Sequence, residues 1–204
     1  MRRKSTKTTK KRVARKHKTG VYNGITWESH EELNFLYWAE EMQKEGFIRE
    51  ITRAESYSLS DAVTINYIKQ LKSSGKPMSQ VVMKGHVYTP EFDIAWTSLA
   101  CPFLWDRRSG AKREKHHIFE AYYHNGYHSI VEIKPMHDFK NMERLVKLNI
   151  KWLLQREGVW VNLIKNEMLF PATFTPLKYH KTSTGKPRAI KWEDRTVKQY
   201  INSL

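Results

Sequence analysis

The chain has 204 residues, enough for one domain with tails, and carries 36 Lys and Arg against 21 Asp and Glu, a net charge of +15. Its single cysteine, Cys101, excludes an internal disulfide and any multi-cysteine zinc site, and fits a reducing compartment. No apolar run approaches the ~18 residues of a membrane span and no signal-peptide pattern opens the chain, so a cytoplasmic protein without membrane attachment is expected.

The charge is uneven. Residues 1–19 hold ten basic side chains and no acid, residues 165–204 hold eight against three acids, and the stretch between holds eighteen of each. A neutral body between two basic ends suggests flanking grips on a polyanion. The expected organisation is a basic arm over 1–20, a core over 21–165 and a basic extension over 166–204. In the arm, Arg2, Arg3, Lys4, Lys10, Lys11 and Arg12 are separated mostly by Ser and Thr. Self-repulsion and the lack of apolar residues predict disorder in isolation, and the run suits phosphate binding. The plainer reading is a solubilising tail.

Gly24 to Ser29 reads as a short strand or turn entering a helix. Ser29 followed three residues later by Glu32 is a capping-box pattern. Leu33, Leu36, Tyr37, Ala39 and Met42 then recur at helical spacing, and Gly46 is placed to stop the helix. Glu32 has a complete local role as a cap. The other reading is an acid that the first helix delivers to a metal site. Phe47–Ile51 and Tyr57–Leu59 suggest strand entering a sheet, and Ser60 or Asp61 can cap a short helix running to Leu71. Ser73 to Pro77 reads as a loop.

Val81 to Trp96 is rich in strand formers and interrupted by Pro90, where a bulge or edge position is expected. Beyond it Glu91 and Asp93 share one face of the strand, with Phe92 and Ile94 opposite. Two acids on a face are costly to bury unpaired, and a cation or a basic partner removes that cost. An exposed strand face is the plain alternative.

Residues 97–117 read as a basic insertion. His116 and His117, being adjacent, would point opposite ways on a strand and are expected at the surface or on phosphates rather than as metal ligands. Asn125-Gly126 is a hairpin turn signal between residues 118–123 and 127–134. The second of these strands reads Ser129-Ile130-Val131-Glu132-Ile133-Lys134-Pro135. Glu132 and Lys134 share a face, Val131 and Ile133 face a core, and Pro135 ends the ladder. Glu120, on the partner strand, is placed to lie nearby.

A helix is expected from Asn141 to before Gly158, followed by the apolar strand Val159–Ile164. Strand, helix, strand implies a crossover to a parallel neighbour. His180 to Arg188 is a loop whose Lys186 and Arg188 can grip phosphates, and a short helix from Trp192 to Ile201 closes the chain.

A helix acid, then Tyr88-Thr89-Pro90 followed by an acid, then Glu132-x-Lys134 with a helix and strand after it, resembles the PD-(D/E)XK nuclease superfamily over about residues 24–165. The nearest likeness is to phage-encoded endonucleases, Holliday-junction resolvases among them, and to transposon end-cleaving endonucleases. The resemblance implies an α/β restriction-endonuclease-like fold, a mixed central sheet flanked by helices. It implies a hydrolase: metal-dependent cleavage of DNA, with 5′-phosphate and 3′-hydroxyl products and a branched or junction substrate within its range. Glu32, Glu91, Glu132 and Lys134 take the catalytic positions, and Glu91, Asp93 and Glu132 are the candidate ligands for Mg2+ or Mn2+. The family usually has Asp where this chain has Glu91, with Asp93 two residues on, so either acid is a candidate for the principal ligand. Two coordinated cuts would favour a homodimer. The rival readings are a non-catalytic DNA-binding or packaging protein, and an RNA-binding protein suited to the same basic, aromatic composition.

Overall fold

The computed structural model describes residues 19–123, 126–137, 142–182 and 184–203. The arm residues Arg2, Arg3, Lys4, Lys10, Lys11 and Arg12, Asn125 of the second Asn-Gly pair, and residues 138–141 lie outside them. The described chain is mixed α/β with several sheets and helices.

Strands β1 (Gly20–Tyr22) and β2 (Ile25–Trp27) form a small hairpin. Asn23 and Gly24 turn it with φ of 49° and 80°, the two left-handed positions a tight hairpin turn requires. Helix α1 (His30–Lys44) starts where expected. The Ser29 hydroxyl accepts from the Glu32 amide at 3.1 Å, and Gly46, at φ 80°, ends the helix as its C′ residue. Lys178 and Tyr22 both reach Glu40 on this helix, tying both ends of the described chain to it.

Strands β3 (Ile48–Arg53), β4 (Tyr57–Ser60), β5 (Val63–Gln70), β6 (Gly75–Met83), β7 (His86–Tyr88) and β8 (Phe92–Trp96) follow. The helix expected between Ser60 and Leu71 is not there: Val63–Gln70 is a strand, paired antiparallel with Gly75–Met83. Val63, Ile65 and Tyr67 alternate with Thr64 and Asn66, a two-residue period that the shorter helical match obscured. Residues 75–77, expected as loop, already belong to the returning strand.

The insertion 97–117 holds 3-10 turns at Ser98–Phe103 and Arg107–Ser109 around β9 (Leu104–Trp105), which pairs parallel with β10 (Phe119–Glu120). Phe103 and Leu104 are buried, so the insertion is docked on the core. Strands β11 (Tyr122–Tyr123) and β12 (Tyr127–Ile133) are the expected hairpin, and α2 (Met142–Glu157) leads to β13 (Val161–Ile164).

The central sheet runs β3–β8–β12 antiparallel, with β11 and β13 pairing successive halves of the other edge of β12 and β13 parallel to it. The Lys134 amide adds one more bond, to Ile164, before Pro135 ends the ladder. Alternation gives the sheet two buried faces. Phe92, Ile94, Trp96, Val131 and Ile133 pack with Phe35, Trp38 and Met42 of α1, while Ile130 and Val161 pack with Val146, Ile150 and Leu153 of α2.

Helix α3 (Asn166–Ala172) lies in the stretch expected as an extension. Its Leu169 and Phe170, with Phe174 and Tyr200, belong to the same buried cluster as α1. The expected closing helix is shorter: α4 spans Val197–Ile201, and Thr196 with Gln199 makes a full capping box that fixes its start. Trp192 lies before the helix, its indole donating to the Thr175 hydroxyl at 2.9 Å. Among the described residues no helix is long and apolar enough to cross a membrane.

Candidate active site

The strand register sets the site. Ile130 of β12 faces Asp93 of β8, and Val131 faces Phe92, so Glu132 comes level with Glu91 at the end of the shared ladder. The Glu91 amide donates to the Val131 carbonyl at 3.0 Å, which holds the residue after Pro90 in line. On the other side of β8, Arg53 pairs with Phe92, and its guanidinium lies 5.2 Å from that ring's centre.

Three carboxylates and two cations meet here. Lys134 Nζ is 2.6 Å from Glu132 and 3.9 Å from Glu91. Arg53 reaches Glu91 at 3.1 Å with one nitrogen and Glu32 at 3.0 Å with another. Glu32 thus leaves the face covered by α1 and joins acids that project from the opposite strands. It also caps: its carboxylate accepts from the Glu28 amide at 3.1 Å, one residue before the position a full capping box would use. One side chain thus meets both the start of α1 and the charged cluster.

Tyr88 donates to the other oxygen of Glu132 at 3.1 Å. Burial, followed by the charge of Glu132, raises the Tyr88 hydroxyl far above its ordinary range, so it remains a donor. Glu32 and Glu132 are each only 4 % exposed. Burial, then the charges of Glu32 and Glu132, push the Glu91 carboxyl up to about 7 against the pull of Lys134 and Arg53.

Asp93 lies apart from this group. Its carboxylate faces His128 Nδ1 at 3.1 Å. Burial raises the hydroxyls of Tyr57 and Tyr122, and the charge of Asp93 adds to both shifts. Asp93 and Glu91 share a face, but two strand steps of roughly 3.3 Å separate them. Glu120 is also elsewhere. Arg107 clasps it with two bonds of 2.7 and 2.8 Å, and the guanidinium sits between Trp105 and Trp160, at 5.1 and 4.7 Å.

Of the expected phosphate-gripping side chains within the described residues, Lys186 is exposed, whereas the Arg188 guanidinium stacks 4.5 Å over the Tyr179 ring. A Lys181–Pro187 bridge closes the loop that carries them. His116 and His117 occupy a turn rather than a strand, with ring centres 4.3 Å apart. Arg53 and Tyr88 are the two site residues that sequence reasoning missed. Tyr88 stands two residues before Pro90, a weak signal, and nothing local marks Arg53.

Among the described residues no three His, Cys, Asp or Glu side chains form a ready metal-binding group. The donor chemistry nonetheless suits a hard divalent cation. Glu91 and Glu132 offer carboxylate oxygens beside a third acid, and two basic groups face three acids. The raised Glu91 carboxyl registers its burial first and then the charges of Glu32 and Glu132. No known protein family, curated protein or solved structure matches this chain.

Proposed function

We propose that the protein is a divalent-cation-dependent endonuclease that hydrolyses phosphodiester bonds in DNA on a PD-(D/E)XK-like core. The observation that carries this reading is the convergence of Glu32 on α1, Glu91 just before β8, and Glu132 and Lys134 at the end of β12, linked by Arg53 between Glu32 and Glu91 and by Lys134 between Glu91 and Glu132. The order α1, β3, β8, β12, α2, β13, with three antiparallel strands and a parallel fourth, supports the restriction-endonuclease-like assignment. The net charge of +15 supports a polyanionic substrate.

In this reading Glu91 and Glu132 would hold Mg2+ or Mn2+. When bound there, the cation supplies Lewis-acid stabilisation of the scissile phosphate and a more acidic water. Burial and the neighbouring acids raise the Glu91 carboxyl to about 7, so a cation bound there would compete with its proton. Tyr88 fixes one oxygen of Glu132, leaving the orientation of the other to Lys134. Lys134 also orients the attacking water or steadies the charge that develops on the phosphate oxygens. Glu32 acts at one remove, holding Arg53 against Glu91. Asp93, beside His128, serves at most an outer position such as a ligated water.

The place of action proposed is the cytoplasm, and two-strand cutting would use a homodimer. One observation favours a second reading, a non-catalytic DNA-binding protein: Arg53 and Lys134 already neutralise much of the acidic charge. Incubation with supercoiled plasmid, linear duplex, a four-way junction and a matching RNA, each with Mg2+, Mn2+ or EDTA, separates the readings. Cleavage of DNA only with metal is expected. Undiminished cleavage in EDTA would sink the metal mechanism, and tight binding without cleavage under any metal would establish the second reading.

A further inference from the structure

The β5–β6 hairpin packs neither face against the body of the molecule. Every residue of β5 is exposed, and in β6 only Met78 is partly covered. Val63, Ile65, Tyr67 and Met83 remain 41 to 66 % exposed. A two-stranded hairpin alone in water is marginally stable, so a ladder this long and bare is suited to a partner.

Its charge indicates which partner. Residues 62–85 contain Lys69, Lys72, Lys76 and Lys84 and no acid. The register sets Lys69 directly opposite Lys76, with Lys72 in the connecting turn. Like charges directly opposite one another destabilise a ladder, and an anion lying across them reverses that penalty. A second copy of this chain is a poor occupant for this tip, because it too carries +15.

The root of the hairpin leads to the carboxylate cluster. β4 and β7 form the ladder from which it springs, and Tyr88 at the end of β7 donates to Glu132. At the junction a Cβ on Gly85 would stand 3.0 Å from the Ser60 carbonyl oxygen, so the close approach of the two chains there suits glycine. From this root the eight residues of β5 extend about 26 Å at roughly 3.3 Å per residue. A two-stranded ribbon fits the major groove, which is about 12 Å wide.

We propose that the β5–β6 hairpin is an arm that lies in a groove of duplex DNA beside the cleavage site, with Lys69, Lys72 and Lys76 on phosphates. Tyr67 and Met78, paired across the ladder, face the groove with those lysines. The assignment rests on the DNA reading above and adds where the duplex runs.

The test is a full-length Lys69→Ala/Lys72→Ala/Lys76→Ala variant, compared with wild type for duplex binding across a salt series and for hydroxyl-radical footprint. The three lysines are exposed, so the fold is expected to survive, and a circular dichroism melt checks it. The slope of log K against log salt should become shallower by about 0.9 for each phosphate that is no longer neutralised, and the footprint should retreat on one side of the cut only. If wild type binds duplex and the variant matches it in slope and footprint, the arm is disproved while the nuclease reading stands. If wild type binds no DNA, the nuclease reading fails and the arm with it. If the variant keeps its slope but changes from dimer to monomer in sedimentation, the hairpin binds a second copy and the DNA assignment is overturned.

Discussion

Glu120 and Glu132 are nearly alike in burial, 5 and 4 % exposed, and each has a basic partner at 2.6 to 2.7 Å. Their surroundings differ. Glu120 has one cation to itself: Arg107 donates to its two carboxylate oxygens from Nε and one Nη, and Asn162 satisfies its backbone N–H and carbonyl. Glu132 shares Lys134 with Glu91, and a third acid, Glu32, competes for Arg53. One site is balanced, and the other has more acid than base. A buried ion pair therefore does not mark a functional centre by itself. What sets the second group apart is a neighbouring carboxyl, Glu91, that burial first and the charges of Glu32 and Glu132 next raise to about 7, the kind of shift that makes a site a candidate.

The contrast is broken most sharply at Glu132. Glu132→Gln and Lys134→Ala are each expected to lower plasmid cleavage by about a hundredfold to a thousandfold, the scale of losing a group that stabilises the transition state. DNA affinity should change little in both, and Glu132→Gln should keep the wild-type melting temperature; Lys134→Ala leaves Glu132 buried without its cation, at a cost of about 3 kcal/mol, so its cleavage is compared per folded molecule. If Glu132→Gln unfolds, Glu132 is structural like Glu120 and the comparison collapses. Within the same assay Glu91→Gln should abolish cleavage and Asp93→Asn only reduce it, since Asp93 faces His128. The opposite pattern would make Asp93 the principal ligand.

Arg107→Ala examines the other member of the comparison. It leaves Glu120 buried without its cation, at a cost of about 3 kcal/mol in urea unfolding. Cleavage per folded molecule should stay at the wild-type rate. A large loss of rate at unchanged stability would show that Glu120 belongs to the site.

The raised Glu91 carboxyl has a signed consequence for stability in the metal-free protein. Its folded pKa, about 7, lies above the ordinary value of 4.5, so the folded state holds a proton that the unfolded state has released between those pH values. Stability therefore falls as pH rises from about 4.5 to 7, by about 2 kcal/mol once solvent reaching the side chain is allowed for. Glu91→Gln removes this dependence. Equal pH slopes for the two proteins, measured in EDTA, would show that burial and the neighbouring acids do not raise the Glu91 carboxyl.

The smallest expected effect is at the cap. Ser29→Ala should cost about 1 kcal/mol in thermal or urea unfolding. The residual fraying of the first turn of α1 should lower cleavage only a fewfold, because Arg53 still holds Glu32. No change in stability would mean that Ser29 does not cap the helix in solution.

Much of this was legible locally. Ser29 and Gly46 announce the ends of α1, Pro135 the end of β12, and Gly158 the end of α2. The Glu132-x-Lys134 spacing places both side chains on one face, as the structure has them. Where two local patterns competed, the shorter match misled: residues 63–70 can be read at helical spacing, but pairing with 75–83 makes them a strand. In the stretch 166–204 the large apolar residues follow no sustained helical or strand period, yet Phe170, Phe174 and Tyr200 are buried with α1.

The sequence alone determined the capped start and the end of α1, the strand carrying Glu132 and Lys134, and the imbalance of charge between body and ends. These follow from short-range rules: backbone hydrogen bonds at helix ends, side-chain alternation along a strand, and proline's missing N–H. Only the tertiary structure decided which charges meet. Arg53 reaches Glu32 across 21 positions of sequence and Tyr88 reaches Glu132 across 44, whereas Glu120, only 12 positions before Glu132, is taken by Arg107. The physical reason is that an ion pair in a low-dielectric interior depends on a few ångströms of separation. Those separations are set by sheet register and by the packing of helices on its two faces, not by distance along the chain.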